Sequence, residues 1–115
     1  MPPLTTVAET EAYLSKARKV LSETEREELV QMIAGRPDAG VVIQGTGGLR
    51  KLRIGLQGRG KRGGGRVIYW FHSLGYPAVL LWVFAKNEAS DLTAAQKKLL
   101  AAEAAGLLND FGGRI

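Results

Sequence analysis

The chain contains no cysteine and only one histidine, His72. Without thiols there is no disulfide framework, no thiol nucleophile and no thiolate metal site, and a single imidazole does not build a metal centre by itself. Long apolar runs are missing too. The longest, Ala78 to Ala85, is far shorter than the roughly 20 residues a membrane-spanning helix needs. The N-terminal MPPLTTVAETEAYL has neither the basic flank nor the apolar core of a secretory signal. These absences lead to the expectation of a soluble cytoplasmic protein with no cofactor, no metal and no membrane contact. The most informative absence is one of negative charge. Between Asp38 and Glu88 there is no Asp or Glu, yet the same stretch carries Arg50, Lys51, Arg53, Arg59, Lys61, Arg62, Arg66 and Lys86.

The whole chain of 115 residues has a net charge of +5 from 16 Lys and Arg against 11 Asp and Glu, so everything outside that stretch sums to −3. A surface that only has to be soluble mixes both signs. A one-sign field over a third of a small domain is the footprint expected for a polyanion ligand. Length and a hydrophobic content of 45% fit one domain over residues 1–115 with a single core.

Residues 6–20 mix apolar and charged positions at helical spacing and predict a short first helix, with room for a brief strand before it. Ser22-Glu23-Thr24-Glu25 is a capping box that opens a helix to about Ala34, where Gly35 and Pro37 supply the stop. The period then changes. LRKLRI (49–54), RVIYWFHSL (66–74) and AVLLWVFA (78–85) are rich in β-branched and aromatic residues and predict three strands. Gly75-Tyr76-Pro77 would join the last two as a hairpin, whereas Gly55 to Gly65 is too long for a tight turn and is expected as an extended basic loop. Thr93-Ala94-Ala95-Gln96 is a second capping box, opening a helix whose Leu99, Leu100 and Leu107 should share a face and whose end Gly106 should weaken. The fold class is therefore α+β: a small twisted antiparallel sheet with N-terminal helices and a C-terminal helix packed on one of its faces.

Strand alternation places Lys51 and Arg53 on one face, with Arg50, Leu52 and Ile54 on the other. By the same parity Leu80, Trp82, Phe84 and Lys86 share a face, and Lys86 reaches the sheet rim where the strand ends. If the three strands are neighbours, Lys51, Arg53, Arg66 and Lys86 converge on one patch. Three readings of such a patch stand side by side: a solvated basic strand face, non-catalytic nucleic-acid binding, and phosphate chemistry. Fixed cations without paired carboxylates suit the last better than glycoside or peptide hydrolysis. RNA is then the natural substrate, because its 2′-hydroxyl is an internal nucleophile. The segment GRGKRGGGR (58–66) lacks the context and ending of a nucleotide-binding loop and fits contact with a phosphate backbone. Tyr69, Trp70, Phe71 and Trp82 are expected mainly in the core, and His72 in a structural or surface position.

VIQGTGGLRKLRIGLQGRGKRGGGRVIYWF followed by LLWVFAKNEASDLTAAQKKLL resembles the RelE and HigB superfamily of bacterial toxin–antitoxin toxins, specifically its HigB-like branch. The resemblance spans roughly Val7 to Leu108 and rests on GTGGLRKLR, GGGRVIYW and AKNEASDLT in that order. It implies a RelE-like fold and a ribosome-dependent mRNA endoribonuclease that cuts the messenger in the A site without metal. It also implies as partners the 70S ribosome, mRNA and a co-encoded antitoxin, for this branch usually a helix-turn-helix protein, through which alone operator DNA is met. Carried over by position, Lys51 and Arg53 match the family's basic pair before the loop, and Arg66 matches the arginine opening the next strand. Lys86 lies in the AKNE block that replaces the GKR-type block.

The resemblance thus assigns Lys86 to proton transfer, Arg66 and Arg53 to phosphate charge, and Lys51 to substrate binding. Arg50, Arg59, Lys61 and Arg62 complete the expected RNA contacts. Two positions depart from the RelE type: Asn87 stands where that type has a further arginine, and Thr93 where it has a C-terminal tyrosine. Those departures keep open an alternative, a catalytically weak RNA-binding module or co-repressor partner of the antitoxin.

Overall fold

One threonine ties the first helix to the sheet. In the computed structural model, which describes residues 4–55, 64–86, 88–89 and 91–112, a short strand β1 (Val7–Glu9) leads into helix α1 (Glu11–Val20). The Thr10 hydroxyl accepts from the Tyr13 amide at 3.2 Å and donates to the Leu80 carbonyl at 2.9 Å. It therefore caps the helix and fixes it to the strand it lies on. Helix α2 (Glu23–Gly35) opens on the expected reciprocal box: Ser22 Oγ accepts from the Glu25 amide at 3.1 Å, and Glu25 Oε1 accepts from the Ser22 amide at 2.8 Å.

The remaining elements are β2 (Val41–Val42), β3 (Leu49–Ile54), β4 (Gly65–Trp70), β5 (Ala78–Ala85) and α3 (Ala94–Gly112). They form a five-stranded sheet in the order β1-β5-β4-β3-β2. The α+β class and the neighbouring of the three long strands are as the sequence predicts. The sheet is antiparallel except at one edge, where β1 runs parallel to β5. The middle strand ends at Trp70 rather than Leu74: Phe71 still donates its amide to the Gly48 carbonyl at 3.2 Å, and the chain then turns at Ser73, whose carbonyl accepts from the Tyr76 amide at 3.1 Å. No helix among the described residues is long and apolar enough to cross a membrane.

The helices do not share a face. Tyr13, Ala17, Leu29 and Ile33 of α1 and α2 pack on Val67, Tyr69, Leu80 and Val83, whereas Leu100 and Ala104 of α3 pack on Leu49, Ile68, Trp70, Val79 and Leu81 on the other side. The reason lies in β4, where Val67, Ile68, Tyr69 and Trp70 are all buried. Consecutive buried residues on a strand point to both faces, so both need cover. Helix α3 continues past Gly106 to Gly112 and turns Ala104 inward, leaving Leu99 68% exposed.

A second correction concerns β5. Ile68 pairs with Trp82 and Tyr69 with Leu80, so Leu81 is an extra residue, a β-bulge. Leu80 therefore lies with the α1/α2 core, while Leu81, Trp82 and Phe84 lie on the α3 side. Parity counting from the sequence had no way to register the inserted residue.

Candidate anion-binding face

Glycine brings the three long strands together at one end. Gly64 has φ +68°, and a Cβ there would stand 2.0 Å from the Ile54 carbonyl oxygen; at Gly65 it would stand 2.5 Å from that of Phe84. No side chain fits either position. The register that follows pairs Arg53 directly with Arg66, and Arg66 directly with Phe84, while Lys51, Ile68 and Trp82 make the next row. Lys86 follows the last residue of β5, its amide bound to the Gly64 carbonyl at 3.0 Å.

Arg53, Arg66 and Lys86 thus occupy one end of the sheet, next to Gly55 and Gly64; the basic segment between those two, expected as an extended loop, lies outside the described residues. Directly opposed like charges destabilise a sheet unless something neutralises them. Two ion pairs join described residues, Lys16 to Glu88 and Lys51 to Asp91, and neither involves these three cations. Among the described residues Arg66 donates to the Gly65 carbonyl at 3.2 Å. Arg53 also reaches the rim of a cleft of about 320 Å³, shared with Ser22, Glu25, Glu28 and Met32. Chemically, this is an array of donors and positive charge in which none of the three cations is ion-paired to a carboxylate among the described residues.

Lys51 stands apart from that description. Its ammonium meets Asp91 Oδ2 at 3.2 Å. The bond Asp91 accepts from the Leu92 amide, and then Lys51 itself, hold the Asp91 carboxyl below the usual aspartate range. The segment after β5 supplies further cover, since Ala89 and Leu92 pack against the cluster that contains Phe84. Asp91 and Glu88 were missed as members of the site, although both follow Lys86 within the string KNEASD.

Arg50 lies on the opposite face, as its parity requires. Its Nη1 donates to the carbonyls of Gly40 at 2.8 Å and Asp38 at 3.2 Å, and its guanidinium stands 5.8 Å from the Phe71 ring. This arginine holds the 37–40 segment and does not join the cluster. Arg59, Lys61 and Arg62 lie outside the described residues. Trp70 is fully buried, as expected of a core aromatic, but Trp82 is only half-buried, flanked by Lys16 and by a groove shared with Leu99 and Gln96. His72 is exposed beside Ser73 and Tyr76. Thr93 is a helix cap: its Oγ1 accepts from the Gln96 amide at 3.1 Å while Gln96 Oε1 accepts from the Thr93 amide at 2.9 Å. Among the described residues no group of His, Asp and Glu side chains is arranged to hold a metal ion.

Fold and site together define a small basic α+β protein whose sheet end carries Arg53, Arg66 and Lys86, none of them ion-paired among the described residues. A family model described as the RelE toxin of the RelE/RelB toxin–antitoxin system matches residues 7–111. The chain belongs to the RelE toxin family. Its fold is also similar to that of an arginine-substituted mutant of the E. coli toxin RelE in the free state. That likeness has a TM-score of 0.56 at 17% identity, covering 87% of this chain and 96% of the other.

Proposed function

We propose that this protein is the toxin of a type II toxin–antitoxin pair and acts as a ribosome-dependent mRNA endoribonuclease. The observation that carries the reading is the Arg53–Arg66 pair, two arginines in direct register on neighbouring strands with no ion pair to a carboxylate among the described residues. In the reaction the 2′-oxygen of the messenger attacks the adjacent phosphorus and the bond to the 5′-oxygen breaks. A 2′,3′-cyclic phosphate and a 5′-hydroxyl remain. The proton leaves the 2′-hydroxyl and one is delivered to the 5′-oxygen. Arg53 and Arg66 stabilise the charge that grows on the non-bridging oxygens, Lys86 transfers a proton, and Lys51 binds the substrate once it leaves Asp91.

The chain's own cations supply the electrostatic stabilisation, and the basic loop adds contact with RNA backbone. A cognate antitoxin, of the helix-turn-helix kind usual for the HigB-like branch that the sequence resembles, restrains the toxin in the cytoplasm and alone meets operator DNA. Induction in bacteria followed by mapping of mRNA 5′ ends tests the reading. In-frame cuts within translated messages, absent from an Arg66→Ala, Lys86→Ala variant, are expected; no cuts from the folded wild type would sink it.

One observation favours a second reading, a catalytically weak RNA-binding or co-repressor module. The Thr93 hydroxyl is committed to capping α3, so the position of the RelE-type tyrosine holds no free proton-transfer group. Ribosome binding without cleavage is the outcome that would select it.

A further inference from the structure

The turn that carries Lys86 is closed by a residue outside the cation cluster. Glu88 accepts the Ala85 amide on Oε1 at 2.8 Å, and its own amide donates to the Ala85 carbonyl at 3.0 Å. These bonds lock Ala85 and Glu88 to each other across Lys86. On its other oxygen Glu88 meets Lys16 Nζ of α1 at 2.5 Å, and Lys16 stands 5.6 Å from the centroid of the Trp82 ring. The carboxylate therefore ties the turn to α1, which Thr10 in turn fixes to Leu80 of β5. A last tie runs from the Lys86 amide to the Gly64 carbonyl.

From this geometry we infer that Glu88, backed by Lys16, is the positioning residue for Lys86. The inference rests on the reading of Lys86 as the proton-transferring group and adds what holds it there. Lys86 is exposed and makes no ion pair among the described residues, so none of them fixes its flexible four-carbon stem at the ammonium end. Its placement is set from the backbone, and the backbone at this turn is set by Glu88. Both Glu88 oxygens are held by protein partners, one by an amide and one by an ammonium, which marks a holding role rather than that of a base.

Three variants of the full chain and two readouts test this. Glu88→Ala removes both ties, Glu88→Gln keeps an acceptor for the Ala85 amide, and Lys16→Met removes only the link to α1. The first readout, amide hydrogen exchange, needs no RNA. In Glu88→Ala, exchange at Ala85 and Lys86 is expected to quicken by about tenfold or more while Val67 and Val83 stay protected. The second is cleavage of ribosome-bound mRNA. Glu88→Ala is expected to lower kcat by about ten- to a hundredfold with KM changed by no more than about twofold. Lys16→Met is expected to do the same to a smaller extent, and Glu88→Gln to recover most of the loss.

Unchanged exchange at Lys86 in Glu88→Ala overturns the inference whatever the activity. Wild-type kcat in that variant overturns it as well. Glu88→Gln as slow as Glu88→Ala, with normal exchange, would assign the carboxylate to the chemistry and also overturn it. A wild type that cuts nothing removes the proposed function instead, and the exchange measurement still judges the clamp.

Discussion

Arg53 on β3 stands directly opposite Arg66 on β4, and neither has a carboxylate partner among the described residues. A fold gains nothing from that arrangement by itself, since like charges facing across a ladder repel. Stability and activity should therefore respond in opposite directions. Arg53→Ala or Arg66→Ala is expected to leave stability unchanged or raise it by up to about 1 kcal/mol. The same change is expected to lower cleavage by roughly 10²- to 10³-fold. Urea denaturation and primer extension on a translated message check the two halves; loss of both together would make the pair structural.

On the proposed role of Lys51, the Asp91 carboxylate that pairs with it competes with RNA. Asp91→Asn is expected to tighten binding to a ribosome–mRNA complex and to steepen its dependence on salt by about one phosphate contact. The exposed pair itself contributes little to stability, about 0 to 1 kcal/mol. The sign with pH follows from the lowered Asp91 carboxyl. Its contribution is present above the ordinary aspartate pKa and lost as pH falls through the lowered folded value, where Lys51 is released. Binding isotherms at several salt concentrations would show it; identical slopes for variant and wild type would refute the competition.

The two tryptophans should separate cleanly. Trp70 is fully buried, donates from Nε1 to the Gly47 carbonyl at 3.3 Å and stacks with Phe111 at 6.2 Å between centroids. Trp70→Ala is expected to cost about 3 to 5 kcal/mol, and Trp82→Ala distinctly less. Denaturant midpoints decide, and an equal loss at both positions would place Trp82 in the core after all.

Two buried phenols make a matched pair. The Tyr69 hydroxyl donates to the Pro37 carbonyl and accepts from the Gly40 amide, both at 2.8 Å, whereas the Tyr13 hydroxyl has no hydrogen-bond partner among the described residues. Tyr69→Phe should cost about 1 to 3 kcal/mol, and Tyr13→Phe should be neutral or stabilising. Burial foremost, with Glu9 adding to it, pushes the Tyr13 phenol up to about 12. Because the folded value lies above the unfolded one, that contribution is intact below pH 10.0 and fades as pH rises toward 12. Alkaline unfolding followed by circular dichroism should accordingly be shallower in Tyr13→Phe; the same slope in both would refute the assignment.

Gly64→Ala is expected to unfold the end of the sheet or to cost several kcal/mol, since its methyl group would collide with the Ile54 carbonyl. Thermal melting within a few degrees of wild type would show that the backbone at Gly64 and Ile54 shifts to relieve the clash.

Both capping boxes were legible because their geometry is local: a hydroxyl and a Glu or Gln three residues apart suffice. The basic face was legible for a similar reason, since Lys51 and Arg53 are two apart on one strand. Features that depend on partners distant in sequence were not. The bulge at Leu81 needs the register of β4 to exist, and the side chosen by α3 needs the fact that Val67 to Trp70 are all covered. Asp91 on Lys51 joins residues 40 apart, and the count of charges in the acid-free stretch ended just before it. Arg50 looked like its neighbours in composition and was separated from them only by the direction it faces.

The extra residue in β5 also bears on how this chain is compared with its relatives. On either side of Leu81 the strand keeps a strict two-residue rhythm, but the two halves are out of phase. A relative whose strand lacks the inserted residue lines up correctly with Val83 to Ala85 or with Ala78 to Leu80, and never with both unless a gap is opened at Leu81. A gapless comparison would match a residue facing α1 and α2 in one protein to a residue facing α3 in the other over half the strand. It would understate the similarity in the segment that delivers Lys86.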